Sequence, residues 1–210
     1  MANKDLMQML KRQIVLRGIG DEKVWKAFEN VDRASFVPGD DKESAYEDRP
    51  LSIGFGQTTS QPAMIAEMLA EMDIQKGDKV LEVGAGSGYL LALLYRLGAN
   101  PYGIERIEAL AKRINDNLEK EGIPPLPVKT GDGSAGWIEE HPFDKIVISA
   151  AAPTVPPVLI DQLKVGGIMV APIGNSSLQR LTVIRKRRET LIVEEKTLCV
   201  FVPLIMNTVI

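Results

Sequence analysis

The chain has 210 residues, 45% of them hydrophobic and 25% charged, ample for the core of one α/β domain with an extension. Its net charge of −3 and pI of about 5.4 lack the basic excess of a nucleic-acid binder, and its one cysteine, Cys199, rules out an intrachain disulfide and a cysteine-rich metal site. No apolar stretch reaches the length of a membrane span and the first residues show no signal-peptide core, so a cytoplasmic protein without a membrane partner is expected.

Residues 3–18 carry Leu6, Met9, Leu10, Ile14 and Leu16 at helical spacing and close at Gly18. A second helix over 21–31 has Val24, Trp25, Phe28 and Val31 as its core stripe. Residues 33–57, rich in Pro, Gly and charge, read mostly as loop. From there the pattern becomes regular: helix 61–74, strand 79–84, a glycine turn, a helix to 97, strand 101–105 and helix 107–121. Strands 126–130 and 143–149, helix 156–164 and strand 167–173 come next. Two last strands, 179–187 and 191–202, have no helix between them and should pair as an antiparallel hairpin. His141 falls in a loop, and the basic run at 185–188 reads as a solvated strand end and turn. The expected fold is α/β and Rossmann-like: a seven-stranded, mostly parallel sheet with a C-terminal antiparallel hairpin and an N-terminal helical extension. Residues 1–210 form one domain in this reading, with 1–60 as the extension and 61–210 as the core.

The stretch Lys79-Val80-Leu81-Glu82-Val83-Gly84-Ala85-Gly86-Ser87-Gly88-Tyr89 is the most telling. An apolar strand breaks into three alternate glycines and resumes as an apolar helix, so backbone N–H groups and a helix N-terminus face a ligand. A dinucleotide fingerprint, G-x-G-x-x-G, would need glycine at position 89, which is Tyr. The order G-x-G-x-G with Glu82 inside the strand resembles class I S-adenosylmethionine-dependent methyltransferases. In such sheets the ligand lies beyond the carboxyl ends of the strands at a topological switch point. Glu105, 17 residues after Gly88, ends the next strand. Its carboxylate suits both ribose hydroxyls, or else favours the dipole of the following helix. Asp132, between Gly131 and Gly133, ends a third strand, and it can accept from an exocyclic adenine amine while a backbone N–H reaches a ring nitrogen.

The segment after the fourth strand bears on the methyl acceptor. An exocyclic adenine amine commonly uses an Asp/Asn-Pro-Pro-aromatic motif, whereas this chain has Ile148-Ser149-Ala150-Ala151-Ala152-Pro153, a small apolar wall. No His/carboxylate cluster suits a catechol. A carboxylate acceptor, with a free α-carboxyl pKa of about 3.3–3.7, is already an anion and needs no base. Upstream, Thr58, Thr59 and Ser60 precede Gln61-Pro62 at a helix start. Ser60 reads as an N-cap, or the three hydroxyls bind a carboxylate without neutralising it.

Taken together, Gly56-Gln57-Thr58-Thr59-Ser60-Gln61-Pro62, the glycine motif, Gly131-Asp132-Gly133, Ala150-Ala151-Ala152-Pro153, Leu163-Lys164-Val165-Gly166-Gly167 and Phe201-Val202-Pro203-Leu204 resemble the protein-L-isoaspartate (D-aspartate) O-methyltransferases, in the family's order and across nearly the whole chain. Residues 21–38, ending Phe36-Val37-Pro38, are similar to the family's N-terminal region. The resemblance implies methylation of the free α-carboxylate of L-isoaspartyl residues in damaged proteins and peptides, with S-adenosyl-L-methionine as donor and S-adenosyl-L-homocysteine as product. Repair then proceeds through a succinimide. It implies Ser60 as the active-site hydroxyl, with Thr58, Thr59, Val202, Pro203 and Leu204 at the substrate. The cofactor would be held by Gly84, Ala85, Gly86, Gly88, Glu105, Asp132, Gly133 and, more weakly, Gln179. No metal and no nucleic acid are expected, and a monomer is favoured. The chain departs from the family after Leu204, where residues 205–210 are largely apolar.

Overall fold

In a computed structural model the described residues are 8, 11, 12, 14, 15, 18, 21–39 and 42–206. Most of the helix expected over 3–18 lies outside them; residues 8, 11, 12, 14 and 15 are helical, and Ile14 is buried. Residues 207–210 of the apolar tail also lie outside.

Helix α1 (Glu22–Glu29) starts where the Asp21 carboxylate accepts from the N–H groups of Lys23 and Val24 at 2.8 and 3.3 Å, satisfying two donors left free at a helix start. Its buried face is Val24, Trp25, Ala27 and Phe28, as the spacing predicts. Two short 3-10 turns, Arg33–Phe36 and Glu43–Tyr46, come after it. The segment read as loop then forms an antiparallel hairpin, β1 (Leu51–Gly54) and β2 (Gln57–Thr59). Its two-residue turn, Phe55-Gly56, has φ of +57° and +70°. Positive φ at both central residues matches the twist of a hairpin. Phenylalanine rarely occupies such a position, which hides the turn from a reading based on Asn and Gly.

The core is a seven-stranded sheet. Its strands are β3 (Lys79–Val83), β4 (Asn100–Glu105), β5 (Val128–Thr130), β6 (Phe143–Ile148), β7 (Leu163–Gly174), β8 (Gln179–Lys186) and β9 (Leu191–Cys199). They lie in the order β5-β4-β3-β6-β7-β8-β9. The strands from β5 to β7 in that order pair in parallel; β7-β8 and β8-β9 are antiparallel, so the expected terminal hairpin is present. Helices α2 (Pro62–Met72), α3 (Tyr89–Arg96), α4 (Glu108–Lys120) and α5 (Pro157–Gln162) link the elements. Alternate strand residues enter opposite layers. Val80, Val147 and Val170 join α1–α4 on one face, while Leu81, Ile146, Ile148 and Met169 join Leu159 of α5 on the other. Each fully buried aliphatic side chain stabilises by roughly 1.5–3 kcal/mol, so both faces are strongly held.

Two strand boundaries differ most from the sequence reading, the start of β7 and the end of β9. β7 begins directly after α5, with Leu163 opposite Phe143 and a bulge before the regular register. β9 ends at Cys199 rather than 202, and the chain then crosses back over the sheet. The Phe201 N–H donates to Gln179 Oε1 at 2.8 Å, the Ala151 N–H to the Val202 carbonyl at 2.7 Å, and the Leu204 N–H to the Ala151 carbonyl at 2.7 Å. Residues 202–204 are thereby laid beside the end of β6. His141 is exposed, and Lys186 donates to the carbonyls of Ile160 and Leu163 at 2.7 and 2.8 Å.

Candidate active site

The strand order reverses between β3 and β6, and the glycine loop leaves β3 at that point. Gly84, Gly86 and Gly88 have φ of +83°, +56° and +87°, a region that side chains resist. A Cβ at Gly86 would lie 3.1 Å from Ile53 Cδ1 of the β1-β2 hairpin, and one at Gly88 would lie 2.9 Å from Ile114 Cγ2. The loop is therefore tight on the protein side and bare of side chains where a ligand would approach. The Glu105 side chain, 6% exposed, braces it: one carboxylate oxygen accepts from the Gly86 N–H at 2.7 Å and the other from the Ile107 N–H at 2.8 Å. Both sequence-level roles of Glu105 are thus compatible. A carboxylate offers about four lone-pair sites, and two remain for a ligand.

A cavity of about 320 Å³ lies over these strand ends, lined by Gly84, Gly86, Glu105, Gly133, Thr58 and Val202 among others. Pro203 and Leu204, expected at the substrate, also line this cavity. A second cavity of about 330 Å³ is lined by Ser60, Gln61, Met64, Leu178, Leu198 and Phe201. Thr58, Ser149 and Val202 belong to both linings, so the two spaces share a wall. Ser60 does not cap α2. That cap position is Gln61, and the Asp48 carboxylate accepts from the Ala63 N–H at 2.8 Å instead. No hydrogen bond engages the Ser60 hydroxyl among the described residues.

Several expected residues stand elsewhere. Thr59, 7% exposed, faces a small space of about 30 Å³ beside Ala85. Gly88 starts α3 without lining either large cavity. Asp132 sits behind Gly133, and its carboxylate accepts from the Ser134 N–H at 2.9 Å and hydroxyl at 2.7 Å. Gln179 is not brought to the site: its amide donates to the Asn175 carbonyl at 2.5 Å and accepts from Phe201, tying the β7-β8 turn to the returning chain. Sequence reasoning missed Ile53, which the unrecognised hairpin delivers. Ser149 is visible in the sequence as the one polar residue before the alanine wall, but no local pattern gives it a role.

Glu82 lies under the loop, fully buried. Its Oε1 accepts from the Ser149 hydroxyl at 3.1 Å, while Oε2 and the Ser87 hydroxyl have no partner among the described residues. Burial pushes the Glu82 carboxyl well above the ordinary range, with the nearby Glu105 charge adding to the rise. A carboxyl raised in the folded state binds a proton the unfolded chain has lost. Stability therefore falls as pH rises from the unfolded value of about 4.3 toward the folded one. Replacing Glu82 by glutamine is expected to remove that slope, raising Tm at neutral pH relative to wild type and leaving the acid side little changed. Thermal denaturation of both proteins across pH checks it; parallel curves would contradict it.

A glycine loop at the switch point of a parallel sheet, with a carboxylate ending the next strand, defines the S-adenosylmethionine-dependent methyltransferase class, and the residues present fit that group. The bare loop offers backbone donors, Glu105 offers acceptors, and the partnerless Glu82 and Ser87 oxygens offer polar contacts beside them. A family model described as Protein-L-isoaspartate(D-aspartate) O-methyltransferase matches residues 1–209. A protein-L-isoaspartate O-methyltransferase of Petrotoga mobilis is 48% identical over 204 residues, 96% of each chain. One of Koribacter versatilis is 45% identical over 203 residues, 97% of this chain and 91% of its own. A solved Plasmodium falciparum structure described as a protein-L-isoaspartate O-methyltransferase, in complex with S-adenosyl-L-homocysteine, superposes with a TM-score of 0.84 at 28% identity, covering 99% of this chain and all of its own. The chain belongs to the protein-L-isoaspartate (D-aspartate) O-methyltransferase family.

Proposed function

We infer that the protein methylates the free α-carboxylate of L-isoaspartyl residues in damaged proteins and peptides, using S-adenosyl-L-methionine. The observation that carries this reading is the shared wall of Thr58, Ser149 and Val202, with the glycine loop and Glu105 on one side and Ser60 on the other. That arrangement suits two reactants meeting across a narrow waist. When bound, S-adenosyl-L-methionine supplies an electrophilic methyl group on a sulfonium. Gly84, Gly86, Glu105 and Gly133 would hold it, with Asp132 behind Gly133. The Ser60 hydroxyl donates to one oxygen of the substrate carboxylate and so fixes the direction of the other. Thr58 and Val202 narrow the approach and exclude water.

No general base enters the scheme, because the acceptor is an anion at neutral pH. Holding two reactants in one geometry supplies much of the rate. Outside the enzyme the amide nitrogen of the isopeptide bond attacks the methyl ester and expels methanol to form a succinimide, whose hydrolysis partly restores normal aspartate. In this reading residues 1–60 complete the site for the core of 61–210, and the chain works as a monomer in the cytoplasm. Repeated turnover is expected to convert an isoaspartyl peptide progressively to its aspartyl form, followed by chromatography. A peptide that stays isoaspartyl while cofactor is consumed would contradict the reading.

A further inference from the structure

Arg33 is the largest fully buried side chain of the described residues, 1% exposed, and no acidic side chain accepts from its guanidinium. Its Nη donors go instead to four main-chain carbonyls, while the buried Nε has no partner among the described residues. Nη1 donates to Ala45 and Glu47 at 3.1 and 3.2 Å, and Nη2 to Arg49 and Ser60 at 3.1 and 3.0 Å. A buried cation is costly unless its donors are satisfied, and the planar fork satisfies its Nη donors rigidly by aiming them at fixed carbonyls. Three of these carbonyls belong to the segment before the β1-β2 hairpin. The fourth is the carbonyl of Ser60 itself.

The guanidinium carbon also lies 5.9 Å from the ring centre of Tyr89, the residue that opens α3 directly after the glycine loop. Asp48 grips the other side of Ser60: its carboxylate accepts from Gln61 Nε2 at 2.9 Å and from the Ala63 N–H at 2.8 Å. Arg33 thus holds the Ser60 carbonyl and Asp48 holds Gln61 and Ala63 just beyond it, so the backbone that carries the Ser60 hydroxyl is fixed on both sides where it lines the second cavity and the small space beside Ala85.

We propose that Arg33, seconded by Asp48, is a positioning residue that sets the Ser60 hydroxyl for the substrate carboxylate and ties it to the start of the helix behind the cofactor loop. This rests on the role given to Ser60 above. Arg33 acts through Ser60, so its effect should vanish when the Ser60 hydroxyl is gone, whereas a purely structural residue would cost the same in either background.

The experiment is a double-mutant cycle on the full chain with Arg33→Lys and Ser60→Ala, measuring kcat, KM for an isoaspartyl peptide and cofactor affinity by calorimetry. Lysine keeps the charge but cannot form the fork. A displacement of the order of an ångström is enough to lower kcat by about 10–100-fold in the wild-type background. The same change in the Ser60→Ala background should alter kcat by less than about twofold, with cofactor affinity unchanged within about twofold in both. Should Arg33→Lys not fold, Asp48→Asn tests the other grip with the same expected non-additivity. Equal losses in the two backgrounds, or an unchanged kcat beside an impaired Ser60→Ala enzyme, would overturn the proposal while leaving the isoaspartyl reading intact. A wild-type enzyme inert on isoaspartyl peptides would overturn that reading and this inference with it.

Discussion

Replacing Glu105 by alanine is expected to weaken S-adenosyl-L-methionine binding at least about a hundredfold and to lower Tm together with it. Two effects combine. The ribose hydroxyls lose a charged acceptor, and hydrogen bonds to charged groups contribute about 1.5–3 kcal/mol each. The N–H groups of Gly86 and Ile107, which Glu105 accepts at 2.7 and 2.8 Å, lose their partners, so the glycine loop and the start of α4 loosen. Glutamine separates volume from chemistry. Whichever way its amide is turned, the NH₂ group must face one of those two N–H donors, so Glu105→Gln should also bind the cofactor at least about tenfold more weakly. Calorimetric titration and thermal denaturation of both variants check this. Affinity within twofold of wild type in the glutamine variant would remove Glu105 from the cofactor site.

Replacing Ser60 by alanine is expected to lower kcat by about 10–100-fold, the cost of an attacking oxygen no longer held in line with the methyl group. Cofactor affinity and Tm should barely move. The two roles visible for this residue in the sequence predict opposite outcomes. An N-cap serine replaced by alanine loses about 1 kcal/mol of stability and leaves chemistry alone. The structure gives the cap to Gln61 and Asp48, and the Ser60 hydroxyl has no hydrogen bond among the described residues. Loss of Tm with unchanged kcat would return Ser60 to a capping role.

The sheet was legible because its signals are local. Val80, Leu81 and Val83 form an apolar run that ends in glycines whose positive φ no other residue tolerates well, and α4 shows its face as Leu110, Ala111, Ile114 and Leu118 at helical spacing. Glu105 and Gly133 were legible for the same reason, since Glu105 ends β4 and Gly133 follows β5 by three residues. What escaped depends on contacts distant in sequence. The hairpin that brings Ile53 against Gly86 turns on Phe55, a residue without turn chemistry. Gln179 carries the resemblance to a cofactor contact, yet its amide is taken by Asn175 and by Phe201, 22 residues further on. Pro203 and Leu204 reach the cofactor cavity only because the chain leaves the edge strand at Cys199 and returns to Ala151, which no period in the sequence announces. Arg33 looked like one more charge in a polar loop, and only the fold shows four carbonyls converging on it.

The central claim is that this site selects an isoaspartyl carboxylate, and it is tested most directly with labelled S-adenosyl-L-methionine and two peptides identical except for one residue, isoaspartate in one and aspartate in the other. The expected result is label in the isoaspartyl peptide alone, released by mild base as an ester should be. Equal labelling of the two peptides, or base-stable label, would contradict it.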